Sequence, residues 1–326
     1  MTDIGLPVGV LEKHGARRLA LAMSADFARA GASQWPSGIP DIVIPALDDD
    51  LRRELSRSGR QAYAPDAVPA GIDGVIIIDG ANFRALMRRL EPLARRDCLI
   101  LPADPDWVVP KALRDGDAQH GAWQTSAAAN YVARCNLKGH YAEFGTFWGS
   151  SFFPNYFRLR HWLAGSFHAF DSFRGLSTPE ADETRFTGGD FAAGAYCANE
   201  RSFAALADLL QVSRERLAII PGFYDRTLAG VDPARYGLAP HSLSVCYIDC
   251  DLREPTAQVL DFVTPLVETG GLIYFDDWRL CRGSRVVGER AAALAWLARN
   301  PDIELIEFDR DHWQNQWFIL QRRSLA

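Results

Sequence analysis

The sequence lacks the features that mark secreted, membrane-spanning and nucleic-acid-binding proteins. Its six cysteines form no CxxC pair, which favours reduced structural thiols over a disulfide framework. No apolar run approaches the length that spans a bilayer, and no basic segment followed by an apolar one opens the chain. There is no long basic block, and the formal net charge is -6. We therefore expect a cytoplasmic protein that binds neither nucleic acid nor a membrane.

Three chemical signatures are missing as well. The first glycine loop is not G-x-G-x-x-G, and the chain has no Tyr-x-x-x-Lys pair, so a dinucleotide-dependent epimerase or dehydrogenase is disfavoured. No His/Cys cluster offers a zinc site. What remains is a soluble globular composition, 48% hydrophobic and 23% charged.

A chain of 326 residues exceeds one comfortable core, so we expect two domains. We expect residues 1–115 to form a small α/β N-terminal domain of unknown role and residues 116–326 to form the main domain. A linker is expected over Pro102–Gly121. The small domain carries no chemical motif. Its predicted elements are helices over Arg17–Ala30 and Ala81–Arg96 and strands at Ile42–Pro45, Val75–Ile78 and Cys98–Leu101.

Strand and helix patterns alternate through the main domain after a predicted helix at Thr125–Asn136. Strands are expected near 140–144, 167–170, 217–220, 244–249, 272–275, 303–308 and 316–320. Helices are expected at Phe203–Leu210, Glu254–Glu268 and Ser284–Ala298. This alternation predicts an α/β fold with a doubly wound, mostly parallel seven-stranded sheet, in which the last two strands form an antiparallel hairpin.

Acidic residues stand at the ends of four of these strands. They are Glu143, Asp171, Asp249 and the pair Asp276-Asp277. Ligands of open parallel sheets bind outside the carboxyl ends of the strands, so the four ends describe one crevice. Its acids suit a ligand with a ribose and a divalent cation.

A glycine loop follows Glu143. Phe147 stands where a dinucleotide fold places its second glycine, which a pyrophosphate needs for close backbone approach. A ligand without phosphates, such as S-adenosylmethionine, makes no such demand. Glu143 could then hold the methionine ammonium, and Asp171 could accept both ribose hydroxyls. The alternative for Asp171 is that it simply starts a turn.

The last acids predict a metal site. One helix separates Asp249 from Asp276 and Asp277, so the three carboxylates are expected on neighbouring strands, with Asp251 nearby. Crowded carboxylates repel unless a proton or a cation neutralises them, and a hard ion such as Mg²⁺ prefers oxygen ligands. The alternative is an Asx turn at Asp276-Asp277 and a helix cap at Asp249.

Residues 140–280 resemble the macrocin O-methyltransferase family, enzymes that use S-adenosylmethionine to methylate sugar hydroxyls on macrolides and similar products. Five segments carry the resemblance, at family spacing: Glu143–Gly149, Asp171–Leu176, Pro221–Leu228, Ile248–Thr256 and Gly270–Trp278. Two segments depart from the family pattern: Arg253–Thr256 replaces Tyr-x-Ser-Thr, and Gly149-Ser150 replaces Gly-Gly.

The resemblance implies roles for individual residues. Mg²⁺ would be held by Asp249, Asp276 and Asp277. The methyl donor would be held by residues of the glycine loop and of the later segments, namely Glu143, Gly145, Thr146, Gly149, Ser150, Asp171, Ser172, Gly222, Phe223, Tyr224 and Asp249.

The expected activity is a Mg²⁺-assisted, S-adenosylmethionine-dependent O-methylation of a sugar or glycosylated natural product. The acceptor is then a small molecule, and its proton would pass to Asp249 or to His312. Three alternatives stay open: an NAD-dependent nucleotide-sugar epimerase or dehydrogenase, a non-catalytic binding protein on a methyltransferase shell, and a C- or N-methyltransferase. The sequence also leaves open whether the chain forms a homo-oligomer.

Overall fold

The computed structural model describes residues 4–30, 36, 38–116 and 126–323. The strands in these ranges are β1 (Leu19–Ala22), β2 (Asp41–Val43), β3 (Gln61–Tyr63), β4 (Gly74–Ile77), β5 (Leu99–Pro102), β6 (His140–Phe144), β7 (Phe167–Asp171), β8 (Leu217–Pro221), β9 (Leu243–Ile248), β10 (Val267–Phe275), β11 (Ile303–Asp309) and β12 (Gln316–Arg322). The α-helices are α1 (Gly5–Lys13), α2 (Ala25–Ala30), α3 (Asp49–Arg57), α4 (Phe83–Arg89), α5 (Glu91–Ala94), α6 (Lys111–Asp115), α7 (Ala127–Arg134), α8 (Phe152–Leu159), α9 (Ala181–Thr187), α10 (Glu200–Leu209), α11 (Tyr224–Thr227), α12 (Arg253–Val263) and α13 (Gly288–Arg299).

The chain divides into two compact units. The first consists of Met1–Arg114 with Tyr196–Val212, and the second of Asp115–Ala195 with Ser213–Ala326. In the first unit, β3-β2-β1-β4-β5 form a parallel five-stranded sheet in that order. The sequence pattern gives no sign that Tyr196–Val212 returns to the first unit.

Helix α10 is tied to the first unit by its N-terminal residues. Asn199 caps the helix by accepting a hydrogen bond from the Ser202 N–H at 2.7 Å, and its amide donates to the Cys98 carbonyl at 2.8 Å. The Ser202 hydroxyl in turn accepts the Ile100 N–H at 2.9 Å. These contacts join α10 to the edge strand β5, whereas the sequence pattern places this helix among those of the main domain.

One predicted element of the first unit is wrong. Instead of a single helix over Arg17–Ala30, the chain forms strand β1 and then the short helix α2. The Leu-Ala-Leu-Ala sequence of β1 favours a helix locally, but β1 pairs in parallel with β2 on one side and β4 on the other. Burial between two strands therefore overrides the local propensity. Residues 117–121 of the predicted linker lie outside the described residues, as does Thr125 of the predicted helix that follows.

The second unit contains a seven-stranded sheet in the order β11-β12-β10-β9-β6-β7-β8. Neighbouring strands from β10 to β8 are parallel, and β12 is antiparallel to both β10 and β11. This confirms the predicted doubly wound, mostly parallel α/β sheet with its C-terminal hairpin. The strand order reverses between β6 and β9, so their carboxyl ends form the topological switch point at which such sheets bind ligands.

Aromatic side chains hold this sheet against its helices. Phe144 of β6 stacks on Phe170 of β7 with ring centroids 4.7 Å apart, and Phe262 of α12 packs edge-on against both. Trp296 of α13 is fully buried, and its indole N–H donates to the Thr264 hydroxyl at 2.8 Å. The strand ends that carry the acids are therefore fixed on a rigid scaffold.

The structure also bears on the expected thiols and on membrane-spanning helices. All six cysteines are free thiols, and only Cys135 is exposed. In the ranges that the structure describes, no helix combines the length and the apolar character needed to cross a membrane.

Candidate active site

The predicted acids lie at one edge of the main sheet. Hydrogen bonds continue past the strand ends: the Gly145 N–H donates to the Phe170 carbonyl at 2.9 Å, and the Asp249 N–H donates to the Phe144 carbonyl at 2.9 Å. The Asp276 N–H donates to the Ile248 carbonyl at 3.0 Å. The backbone thus fixes the carboxyl ends of β6, β7, β9 and β10 relative to one another.

Gly145 is required by the closeness of β6 and β9. Its φ is +92°, and a Cβ atom there would lie 1.7 Å from the Asp249 carbonyl oxygen. Only glycine combines this backbone conformation with such an approach. The glycine loop therefore begins directly beside the loop that carries Asp249.

Asp171 organises the glycine loop. Its Oδ2 accepts the Phe147 N–H and its Oδ1 the Phe173 N–H, both at 2.7 Å. Phe147 and Phe173 each have a φ of +49°, so the carboxylate stabilises two left-handed residues. Burial raises the pKa of Asp171 to about 6, against the lowering effect of these N–H groups and that of Thr146.

The neighbours of Asp171 are partly committed to loop structure. The Ser172 hydroxyl donates to the Gly175 carbonyl at 2.7 Å and accepts the Arg174 N–H at 3.0 Å. The Gly149 N–H donates to the Thr146 carbonyl at 2.7 Å, closing the glycine loop before Ser150. The Thr146 hydroxyl is buried without a hydrogen-bond partner in the described structure, so it is the polar group of this loop that can accept a new contact.

Glu143, near the carboxyl end of β6, is fully buried. The Tyr141 hydroxyl donates to its Oε2, and the Ser151 hydroxyl donates to its Oε1 at 2.6 Å. The Asn155 amide donates to the Tyr141 hydroxyl at 3.1 Å, which extends the network to α8. Burial raises the pKa of Glu143 to about 8, because the charged form has lost its water.

The segment after β8 lies next to Asp171. The Gly222 N–H donates to the Asp171 carbonyl at 2.8 Å, with a Gly222 φ of +138°. Phe223 is 37% exposed. Tyr224 is buried, and its hydroxyl donates to the Phe170 carbonyl at 3.4 Å. Tyr224 thus packs in the core, whereas Phe223 faces solvent.

The carboxylates after β9 and β10 affect one another electrostatically. Burial and then Asp276 raise the pKa of Asp249 well above its usual value, with Asp251 and Asp277 adding to the effect. Burial and Asp251 raise the pKa of Asp277 in the same way. No group of three or more His, Cys, Asp and Glu side chains within residues 4–30, 36, 38–116 and 126–323 is arranged to hold a metal ion. The donor set is nevertheless all-oxygen and acidic, which fits a hard cation in charge and in ligand type.

Two residues that sequence reasoning missed contact these acids directly. The Tyr274 hydroxyl donates to Asp276 Oδ1 at 2.7 Å. The Gln314 amide donates to Asp276 Oδ2 at 3.4 Å and to Asp277 Oδ1 at 3.3 Å. Tyr274 could have been found, because it stands two residues before Asp276, and strand alternation directs side chains at that spacing to the same side. Gln314 lies in the hairpin turn, and no spacing rule connects it with Asp276.

His312 shares that turn. It is exposed, and it stands two residues before Gln314. Burial raises the pKa of Asp276, and the hydrogen bonds from Tyr274 and Gln314 oppose that rise. Asn315 shapes the turn by accepting the Asp311 N–H at 3.0 Å and the His312 N–H at 3.1 Å. His312 therefore shares with Gln314 the turn that contacts Asp276 and Asp277.

Solved structures with a similar architecture include methyltransferases. CalS11, a calicheamicin methyltransferase, gives a TM-score of 0.51 at 18% identity, over 66% of this chain and 82% of its own. The O-methyltransferase NovP gives 0.47 at 19% identity, over 75% of this chain and 100% of its own. An O-methyltransferase from Bacillus cereus in complex with SAH gives 0.37 at 11% identity, over 63% of this chain and 83% of its own. No protein-family model and no curated protein matches the sequence.

The likeness to CalS11 defines the class of fold. The chain has a Rossmann-like methyltransferase fold, as the sequence predicts. The resemblance of residues 140–280 to the macrocin O-methyltransferase family stays a prediction.

Proposed function

We propose that this protein is an S-adenosylmethionine-dependent O-methyltransferase that acts, with the help of Mg²⁺, on a hydroxyl of a sugar or a glycosylated natural product. One observation carries the proposal. The acids at the carboxyl ends of β6, β7, β9 and β10 lie at one edge of a methyltransferase-type sheet, beside a glycine loop unsuited to a pyrophosphate. CalS11 is itself a calicheamicin methyltransferase, which supports a natural-product acceptor.

The donor site in this proposal follows from the contacts around β6 and β7. Glu143 holds the methionine ammonium, because it is the buried acid at the base of the glycine loop. Asp171 can accept ribose hydroxyls in addition to its two backbone N–H groups, since each carboxylate oxygen has more than one acceptor site. Phe223, exposed beside these groups, supplies a face for the adenine.

Asp249, Asp276 and Asp277 would hold the magnesium ion. When bound, the ion supplies a positive charge that orients the acceptor hydroxyl and lowers its pKa. Tyr274 and Gln314 orient the Asp276 carboxylate through the hydrogen bonds described above.

The acceptor hydroxyl must lose its proton during methyl transfer, and two groups are candidates to take it. Asp249 is half-buried at the end of β9 and can accept a proton on a carboxylate oxygen. His312 is exposed on the hairpin turn and can accept a proton on a neutral imidazole nitrogen. Replacing His312 with Gln should lower kcat if His312 is the base. An unchanged kcat would assign the role to Asp249.

Calorimetry with S-adenosylmethionine, its demethylated product and NAD tests the donor. We expect the first two to bind and NAD not to bind. Tight binding of NAD would instead favour the dinucleotide-dependent alternative. If the donor binds but mass spectrometry detects no methyl transfer to any sugar acceptor, a non-catalytic binding protein is favoured.

Chelation tests the metal. EDTA should abolish turnover and added Mg²⁺ should restore it. Asp276→Asn should weaken Mg²⁺ binding while leaving donor affinity within about tenfold, roughly 1.4 kcal/mol. Full activity in EDTA would show that the carboxylate cluster is structural.

The cytoplasmic location, assembly into a homo-oligomer and the domain boundary near residue 115 stay predictions.

A further inference from the structure

Glu289 connects the two loops that carry the candidate metal ligands. It is the second residue of α13 and is fully buried. Its Oε1 accepts the N–H of Cys250, the residue after Asp249, at 2.9 Å, and its Oε2 accepts the N–H of Asp277 at 2.9 Å. A single carboxylate therefore spans the chain after β9 and the chain after β10.

The first turn of α13 is built to come close to these loops. Gly288 has a φ of +75°, and a Cβ atom there would lie 3.1 Å from the Cys281 sulfur. The Arg290 guanidinium donates to the Gly283 carbonyl at 2.7 Å and lies over the Trp278 ring, 5.7 Å from its centroid. Three consecutive residues of α13 thus hold the segment after β10, and Glu289 is the one that also reaches the segment after β9.

The chemistry at this position requires a carboxylate of glutamate length. Both partners are backbone donors, so the side chain must offer an oxygen acceptor to each, which a carboxyl group does and an amide does not. Gln would turn an NH₂ group toward one of the N–H groups and leave that buried donor unsatisfied. Asp is one methylene shorter and cannot keep both 2.9 Å contacts from the same backbone position.

We propose that Glu289 is a positioning residue that fixes the spacing between Asp249 and Asp277 before the metal binds. This inference depends on the proposed function, because it assigns Glu289 a role toward the Mg²⁺ held by those acids. Asp249 directly precedes Cys250, whose N–H is one of the two groups that Glu289 bridges, and Asp277 carries the other N–H. Movement of either loop therefore moves a candidate metal ligand directly. Groups that orient metal ligands in this way typically change metal affinity by about 10–100-fold when they are replaced.

Asp79 provides a matched control in the first unit. It is 1% exposed and also bridges two backbone N–H groups, that of Ser24 at 3.1 Å and that of Asn82 at 3.2 Å. Asp79→Asn therefore removes the same kind of buried bridge, but from a sheet without the candidate metal ligands. It separates the cost of losing a buried bridge from an effect on the metal site.

The experiment titrates Mg²⁺ alone into wild type, Glu289→Gln and Asp79→Asn by calorimetry, and S-adenosylmethionine in parallel. We expect Glu289→Gln to weaken Mg²⁺ binding about 10–100-fold with donor affinity unchanged, and Asp79→Asn to change neither. Equal Mg²⁺ affinity in Glu289→Gln and wild type would overturn the inference and leave the metal site standing. Failure of the wild type to bind Mg²⁺ would overturn the metal site and the inference together.

A measurement on the wild type covers the case in which Glu289→Gln does not fold. Amide hydrogen exchange should find the Cys250 and Asp277 N–H groups protected in metal-free protein, with no further protection on adding Mg²⁺. Protection that appears only with Mg²⁺ would show that the ion, and not Glu289, sets the spacing.

Discussion

Among single residues, Gly145 has the least room for a side chain. Gly145→Ala would place a Cβ 1.7 Å from the Asp249 carbonyl oxygen at a φ of +92°, so β6 and β9 must separate. We expect a loss of about 4 kcal/mol or more in the free energy of unfolding, measured by urea denaturation. Gly237→Ala is the control, because Gly237 has a φ of +72° with nothing within 4 Å and should cost only roughly 1–2 kcal/mol. Equal losses would contradict the close approach of the strands.

Glu143 predicts a pH dependence of stability. Burial raises its pKa from 4.5 to about 8, so the folded protein holds a proton on Glu143 that the unfolded chain releases above pH 4.5. Its contribution to stability is therefore complete below pH 4.5 and is lost as the pH rises through 8. In ligand-free protein, unfolding free energy should fall less steeply between pH 5 and 8 for Glu143→Gln than for wild type. Parallel slopes would contradict the raised pKa.

Site residues could be predicted from the sequence where they stand next to a recognisable strand pattern. Glu143, Asp171, Asp249 and Asp276 directly follow apolar strand runs, so the strand pattern itself locates them at one sheet edge. Glu289 reaches the same edge from the start of a helix, which begins at Gly288 rather than at the predicted Ser284. Packing against the loop after β10 sets that start, and no local propensity encodes it.

At the level of elements, the β11–β12 hairpin is held to the site by Arg279. Its guanidinium donates to the Asn315 carbonyl and to Gln316 Oε1, both at 2.6 Å, and its N–H donates to the Gln314 carbonyl at 2.8 Å. Arg279→Ala should release the turn that carries Gln314 and His312, at a cost of about 1–3 kcal/mol. Faster amide exchange over residues 310–316 would report the release.

Arg299→Ala is the matched control for that change. Arg299 pairs with Asp261 at 2.7 Å, but both side chains are more than half exposed, so the loss should stay below about 1 kcal/mol. Exchange in the hairpin turn should then match wild type. If Arg299→Ala loosened the turn as much as Arg279→Ala, the proposed anchoring would be wrong.

Strand and helix types followed the sequence where the pattern was strong. The hydrophobic runs of β6, β7, β9 and β10 predicted these four strands, and the patterns near 217–220, 303–308 and 316–320 predicted the other three strands of the main sheet. The predicted helix over Glu254–Glu268 continued too far, because α12 ends at Val263 and β10 already begins at Val267. Pairing of Val267 with Leu243 decides that boundary, and the partner strand is distant in sequence.

At the level of the whole molecule, the first unit is made of two separate chain segments, which limits how the chain can be shortened. Removing residues 1–115 would take away β5 and leave the buried face of α10, including Phe203 and Leu206, without its partner. We expect the shorter chain to aggregate, and replacement of exposed α10 residues by polar ones to restore solubility with S-adenosylmethionine binding intact. A shorter chain that is soluble without these changes would contradict the attachment of α10 to β5.

The same two-segment arrangement has a consequence for synthesis on the ribosome. The strands of the first sheet are complete at Pro102, but α10 and the rest of its segment, which ends at Val212, emerge about 110 residues later. At roughly 5–20 residues per second, β5 waits about 5–20 s for this helix. Strands β6 and β7 are made during that delay, so the two units mature in an interleaved order rather than one after the other.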